Sequence, residues 1–174
     1  LRHALRQIAS GVDRAGRLVN QLLTLARTEG GELAQQQHKP LDLAQLMREV
    51  VEDWVMMAID KGIDLGFEAE GSAVISGNPF LLRELAKNLI DNAIHHGPAG
   101  AHIPVRAADR WLEVGDDGPG IAPEHQAHVF ERFYRAAPSG VSGSGLGLAI
   151  VKEIASQHGA QVGVRSPLAD GRGT

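Results

Sequence analysis

Glu84, Asn88 and Asn92 stand four residues apart in a stretch, Pro79 to His96, whose apolar residues Leu81, Leu82, Leu85, Leu89, Ile90, Ala93 and Ile94 recur close to every 3.6 positions. That period predicts a helix. Residues four apart lie on one face, so this helix presents a carboxylate, two amides and, three positions on, the His95 imidazole in a row. A solvated polar stripe is the plain alternative. The chemistry on offer is metal and phosphate binding, since amide oxygens suit a magnesium ion that keeps waters and also binds phosphates. Asp116 follows directly on a strand candidate, Trp111 to Val114. There a carboxylate can accept a hydrogen bond from an exocyclic amine, while Gly118 and Gly120 let a flat ring approach the backbone; an ordinary Asp-Gly turn is the alternative.

A third group, Gly143, Gly145 and Gly147, runs into a helix candidate, Leu146 to His158. Free N–H groups and the helix dipole favour an anion there. Two familiar phosphate loops are excluded. No Gly-Lys-Ser/Thr occurs, so there is no P-loop, and Leu148 stands where a dinucleotide fingerprint needs its third glycine.

The elements that must position these residues can be read in order. Leu1, Leu5, Ile8, Val12, Ala15, Val19, Leu22 and Ala26 alternate gaps of four and three, a heptad seam that needs a partner helix. Gly30 and Gly31 end it. Glu32 to Pro40 is polar and reads as a linker. Asp42 looks like an N-cap for a helix ending near Lys61 and Gly62. Strand candidates follow at Ile63 to Phe67 and Ala73 to Ile75. Asn78 and Pro79 form a favoured helix start. Strands are expected at His102 to Ala107 and Arg110 to Val114, a short helix within Pro123 to Phe133, a small and polar stretch from Ala136 to Ser144, and a last strand at Gln161 to Ser166. Helices on one face of a mixed sheet fit this order, an α+β two-layer sandwich preceded by the heptad helix. The expected division is 1–30 for the helix, 31–41 for the linker, and 42–174 for the main domain with its last strand truncated.

Composition narrows the function. A net charge of −4 leaves no basic stripe for nucleic acid. With no cysteine, neither disulfides nor thiolate metal sites can form. No apolar run approaches the roughly 20 residues needed to span a bilayer. The chain opens at Leu1 without Met and stops at Thr174, which predicts a piece of a longer protein.

Taken together, the order Glu84-x3-Asn88-x3-Asn92, then Asp116-x-Gly118-x-Gly120, then Phe130 to Arg135, then Gly143-x-Gly145-Leu146-Gly147-Leu148 resembles the N, G1, F and G2 boxes of sensor histidine kinases. Leu18 to Arg27 is similar to the end of the second helix of that family's dimerisation and phosphotransfer domain. Gly171-x-Gly173-Thr174 is similar to the start of its final glycine-threonine segment.

The resemblance implies a sandwich holding ATP between the N-box helix and a lid. Asp116 would bind the adenine amino group, with Gly118, Gly120 and Ile121 lining the base pocket. Asn88 and Asn92 would hold Mg2+ on the phosphates. Arg135 would reach the γ-phosphate, and Gly143, Gly145, Leu146, Gly147 and Leu148 would wrap the phosphate chain. Phe130 and Phe133 would anchor the lid. Glu84 matches the general base of related gyrase and MutL ATPases. The implied activity is donation of the γ-phosphoryl of ATP to a histidine, for relay to a response-regulator aspartate. It further implies homodimerisation through residues 1–26 and a parent anchored in the membrane only through segments absent here, with this part on the cytoplasmic side of the bacterial inner membrane. A gyrase/MutL-type ATPase and a nucleotide-insensitive dimerisation module are the rival readings.

Two departures carry expectations. His95 and His96 stand where the family often has a basic and an aromatic residue. Imidazoles there predict ATP affinity that declines from about pH 6 to about pH 8 as protons leave. The family's phospho-accepting histidine lies in a motif not found here, and His3 lacks that context, so this chain alone is not expected to autophosphorylate.

Overall fold

The computed structural model describes residues 11–12, 15–16, 18–19, 21–24, 26, 38–71, 74–108, 110–136, 143–167 and 173–174. His3, the first half of the heptad seam, the glutamine-rich stretch, Gly171 and most of 136–144 lie outside the described residues. Those described between 11 and 26 are helical.

The main body runs β1 (Lys39–Asp42), α1 (Leu43–Asp60), β2 (Asp64–Glu70), β3 (Val74–Gly77), α2 (Pro79–His96), β4 (His102–Ala108), β5 (Trp111–Val114), α3 (Pro123–Gln126) and α4 (Gly147–Gln157). β2 pairs parallel with β4, and β4 antiparallel with β5, giving a mixed three-stranded sheet. β1 and β3 form a separate antiparallel pair.

Along β4 the side chains alternate as a half-buried strand must. Ile103, Val105 and Ala107 are buried, whereas Arg106 stays on the open face, bonding Glu68 of β2 and Glu113 of β5. The helices therefore cover one face.

α2 is the central element, because two cores meet on it. Ile90, Ala93 and Ile94 pack with Met47 and Val50 of α1 and with Ile103 and Val105 of β4. Leu81 and Leu85 pack with Leu146, Ile150 and Ile154, which belong to α4 and the residue just before it. The starts of α1 and α2 are capped as their sequences demand. Asp42 accepts from the N–H groups of Ala44 and Gln45. Asn78 accepts from Phe80 at 3.0 Å and Leu81 at 3.3 Å, with Pro79 at the first helical position.

Asn78 also donates its own N–H to Nε2 of His158 at 3.0 Å, while Nδ1 of His158 lies 2.7 Å from the Ile154 carbonyl. Nδ1 therefore carries the proton and Nε2 is the acceptor, so only the neutral ring serves both contacts. Burial holds its pKa below the ordinary histidine value, opposed by the Ile154 hydrogen bond and assisted by His38, which stacks on it at 4.6 Å. The ring thus fastens the end of α4 to the start of α2. Asn78→Ala removes the cap and should destabilise the fold by about 1 kcal/mol, read as a lower denaturation midpoint with unchanged slope. An unchanged midpoint would show that the cap contributes nothing here.

Two expectations need correction. Lys39 and Pro40, read as the end of a loop, begin strand β1; their pairing with Ser76 and Gly77 is non-local and leaves no mark in the polar composition. Gln161 to Ser166 is not a strand. A strand requires a paired neighbour, and this segment is tied by side chains instead: Val162 against α4, Arg165 on Glu113, and Ser166 at the loop after β5. No helix among the described residues is long and apolar enough to cross a membrane.

Candidate functional site

A cleft of about 580 Å³ opens between the C-terminal half of α2, the loop after β5 and the glycine segment before α4. Asn88, Asn92, His95 and His96 line one wall, Asp116, Gly120 and Ile121 the floor, and Arg135, Gly143, Gly145, Gly147 and Leu148 the other side. The helical row and the glycine segments, far apart in sequence, are thus brought to one place.

Three of the expected residues sit elsewhere. Gly118 is buried behind Asp116, so close that a Cβ there would stand 2.5 Å from Oδ1 of Asp116. Leu146 is fully buried in the α2–α4 core. Glu84 lines an adjoining cleft with Trp54, Phe80, Lys87 and Asp91. Its carboxylate takes a hydrogen bond from Lys87 at 3.2 Å, and its backbone carbonyl accepts from Nδ2 of Asn88 at 2.7 Å.

Asp116 is fixed on several sides. Its Oδ1 accepts from the Gly118 N–H at 2.7 Å, and its backbone exchanges hydrogen bonds with Thr174 at 3.0 and 3.1 Å. Gly173 donates to the Gly118 carbonyl at 3.0 Å. Gly120 has φ +74°, and a Cβ there would meet Ser166 Oγ at 2.9 Å and the Gly173 carbonyl at 3.1 Å. Only glycine lets the two segments close on each other at that point. Asp117 turns outward and accepts from the backbone N–H of His102 at 2.7 Å, tying the loop to the head of β4.

Burial pushes the Asp116 carboxyl above its ordinary range, and Asp117 adds to this; the Gly118 hydrogen bond and the nearby His96 work against it. Burial lowers the pKa of His96, as do His95 and Arg135, against the pull of Asp116 and Asp91. His96 therefore sheds its proton below the ordinary histidine value, and its share of the expected decline moves to more acid conditions. Acidification then acts through Asp116. A carboxyl with a raised folded pKa takes up its proton early as pH falls; protonation relieves its desolvation and favours the fold, yet converts the acceptor into a donor. The share of affinity that Asp116 contributes for an amine-bearing ring should hold at neutral pH and fall on acidification, earlier than for an exposed carboxylate, while stability does not fall in step at this group. Calorimetric titrations across pH would check this; affinity independent of pH down to the ordinary carboxylate range would refute it.

The phosphate side is equally ordered. Gly145 has φ +70° and its carbonyl accepts the N–H of Phe133 at 2.8 Å. Phe133 itself has φ +63° and is 63% exposed, an unusual state for an aromatic. The two clasp each other at the roots of the segment between them. Oδ1 of Asn88 would lie 3.3 Å from a Cβ on Gly147, so the amide faces the start of α4, where phosphates are favoured. Among the described residues no group of three or more His, Asp or Glu could hold a metal by itself. Two amides beside a helix N-terminus, where an anion is favoured, suit magnesium held jointly with phosphates.

Several contributors escaped the sequence reading. Thr174 and Pro119 line the cleft, as do Gln21, Tyr134 and Ser144. The Gly173-Thr174 motif was visible as a family mark, but its role as backbone partner of Asp116 was not. Tyr134, whose hydroxyl lies 2.7 Å from Nδ1 of His125, had no signal beyond lying beside Arg135.

A model of the family described as histidine kinase-, DNA gyrase B-, and HSP90-like ATPase matches residues 77–174. The sensor protein QseC of Salmonella typhi is 43% identical over 160 residues, covering 91% of this chain and 35% of that protein. The chain thus spans about a third of the length of that relative. Among solved structures, a mycobacterial sensor histidine kinase, MprB, is 32% identical with a TM-score of 0.67, over 78% of this chain and 91% of that one. Full-length ShkA in complex with AMPPNP gives a TM-score of 0.74 at 31% identity, over 90% of this chain and 33% of that one.

Proposed function

The chain belongs to the family of histidine kinase-, DNA gyrase B- and HSP90-like ATPases as an ATP-binding domain of the sensor histidine kinase kind, and from that premise we propose that it holds magnesium-ATP for transfer of the γ-phosphoryl to a histidine. The observation that carries this is the single cleft joining Asp116, Asn92 and the glycine segment. The adenine amino group would donate to Asp116, with Gly120 and Ile121 against the ring and Gly118 holding the carboxylate. Asn88 and Asn92 would hold magnesium, which supplies charge neutralisation on the phosphates. Gly143, Gly145 and Gly147 would follow the phosphate chain, with Leu146 anchoring their segment in the core and Leu148 beside them. Arg135 would meet the γ-phosphate, and His95 and His96 would flank the chain from α2. Glu84 would act from the adjoining cleft by fixing Asn88 through its carbonyl. Catalysis of such a transfer is chiefly positioning and electrostatics.

In the parent protein the phosphoryl group would pass to an aspartate of a response regulator. Residues 1–30 would be the dimerisation helix, pairing two copies through 1–26, residues 31–38 a linker, and 39–174, from strand β1 onward, the catalytic domain, facing the cytoplasm beneath a membrane anchor supplied by other segments. Titration of magnesium-ATP into this chain and into Asn92→Ala tests the core of the proposal. The variant should bind about tenfold more weakly in magnesium and should match the parent when magnesium is chelated. Equal loss in both conditions would remove Asn92 from the metal. Steady ATP turnover would favour a hydrolase, and acid-labile phosphate on the chain itself would overturn the expectation that the acceptor lies elsewhere.

A further inference from the structure

The leading helix reaches the cleft with Leu18 and Gln21, and Gln21 makes hydrogen bonds within it. Nε2 of Gln21 donates to Oδ1 of Asn88 at 3.5 Å, and Oε1 of Gln21 accepts from Ser144 Oγ at 2.7 Å. That hydroxyl in turn accepts from the backbone N–H of Leu146 at 3.2 Å. Three residues later Thr24 is buried, 7% exposed, and Gln21, Leu23 and Thr24 line the adjoining cleft beside Trp54 and Ile150. The helix is seated on the body at this turn. A glutamine amide therefore spans from the metal-side face of α2 to the glycine segment before α4, touching both halves of the site.

We propose that Gln21 is a latch between the leading helix and the nucleotide site, so that seating of that helix and binding of magnesium-nucleotide oppose each other. This rests on the assignment of Asn88 to the metal. The same Oδ1 that would face the cation receives the Gln21 N–H, and a positively polarised N–H beside a divalent ion is repelled by it. The oxygen of Gln21 holds Ser144, which sits between Gly143 and Gly145 and would have to follow the phosphates. Filling the site with magnesium-nucleotide draws both partners away from Gln21. By linkage, whatever lifts the helix raises nucleotide affinity by the factor by which nucleotide loosens the helix. Gln21 is thus a positioning residue that couples helix placement to the site.

The experiment compares this chain with Gln21→Ala, using AMPPNP with and without magnesium and following backbone amide exchange at residues 21–24. Gln21→Ala should bind magnesium-AMPPNP about two- to tenfold more tightly, on the order of one net hydrogen bond, with a smaller gain when magnesium is chelated and only the Ser144 contact opposes the phosphates. Magnesium-AMPPNP should accelerate exchange at 21–24 in the parent and have little further effect in the variant. Unchanged or weaker magnesium-AMPPNP binding in Gln21→Ala, or exchange slowed by nucleotide in the parent, would overturn the latch while leaving the nucleotide site intact. A parent chain that binds no AMPPNP at all would sink the functional reading and the latch together.

Discussion

Asp116→Asn is expected to weaken magnesium-ATP binding about ten- to hundredfold, the range for a hydrogen bond made to a charged group. The side chain has no freedom to adapt. Gly118 donates to its Oδ1 at 2.7 Å, and pairing with Thr174 fixes the backbone on which it rides. An asparagine here would keep its single oxygen on Gly118 and turn its NH2 group towards the cleft. Two donors then face each other where the adenine amine arrives, which is worse than a missing partner. The fold should tolerate the change, since a neutral amide is relieved of the desolvation that raises the Asp116 pKa. Calorimetric titration with thermal denaturation separates the outcomes. Affinity within about twofold of the parent, in a folded variant, would mean the base is held elsewhere.

The second large effect belongs to the glycine segment. Gly145→Ala would place a Cβ 2.7 Å from the carbonyl carbon of Phe133, 2.8 Å from its Cα and 2.9 Å from the Tyr134 carbonyl oxygen. All three are backbone atoms, so no side-chain rotation relieves the contact. The φ of +70° adds an unfavourable conformation for any residue with a Cβ. Strain of this kind costs about 1–3 kcal/mol, and the segment relieves it by parting from Phe133. Phosphate contacts move with it, and a roughly tenfold loss of nucleotide affinity should follow. Gly159→Ala, outside the cleft, is the matched control, because Gly159 has φ +64° and a Cβ there meets no atom of the described residues within 4 Å. Equal affinities of the two variants would show that the clasp does not shape the phosphate side.

Much of this was legible in the sequence because the signals were local. The apolar period of 79–96, the Asn78-Pro79 start and the Asp42 cap each specify a helix from neighbouring residues, and α1 and α2 appear within two positions of expectation. The two glycine segments and the asparagine row were visible for the same reason. What stayed hidden depends on partners distant in the chain. Strand β1 exists through its pairing with β3, and Gln161 to Ser166 has strand-like alternation but no ladder. Glu84 shares a helical face with Asn88 and yet opens on the neighbouring cleft, because the seated leading helix and the start of α4 divide that face. His96 was readable as an ionisable group, but its lowered pKa follows from burial, which sequence does not state.

The double commitment of α2 has a consequence for how the protein opens. One side of the helix belongs to the cluster with α1 and the sheet, the other to the cluster with α4. Local opening normally proceeds by separable cooperative units, but neither cluster can come apart here without exposing a flank of the helix that completes the other. The asparagine row therefore rides on an element shared by both units, and the domain loses that row only when it opens as a whole. A ligand held on that row would reinforce the entire body rather than one lobe, so that occupancy and resistance to unfolding rise together.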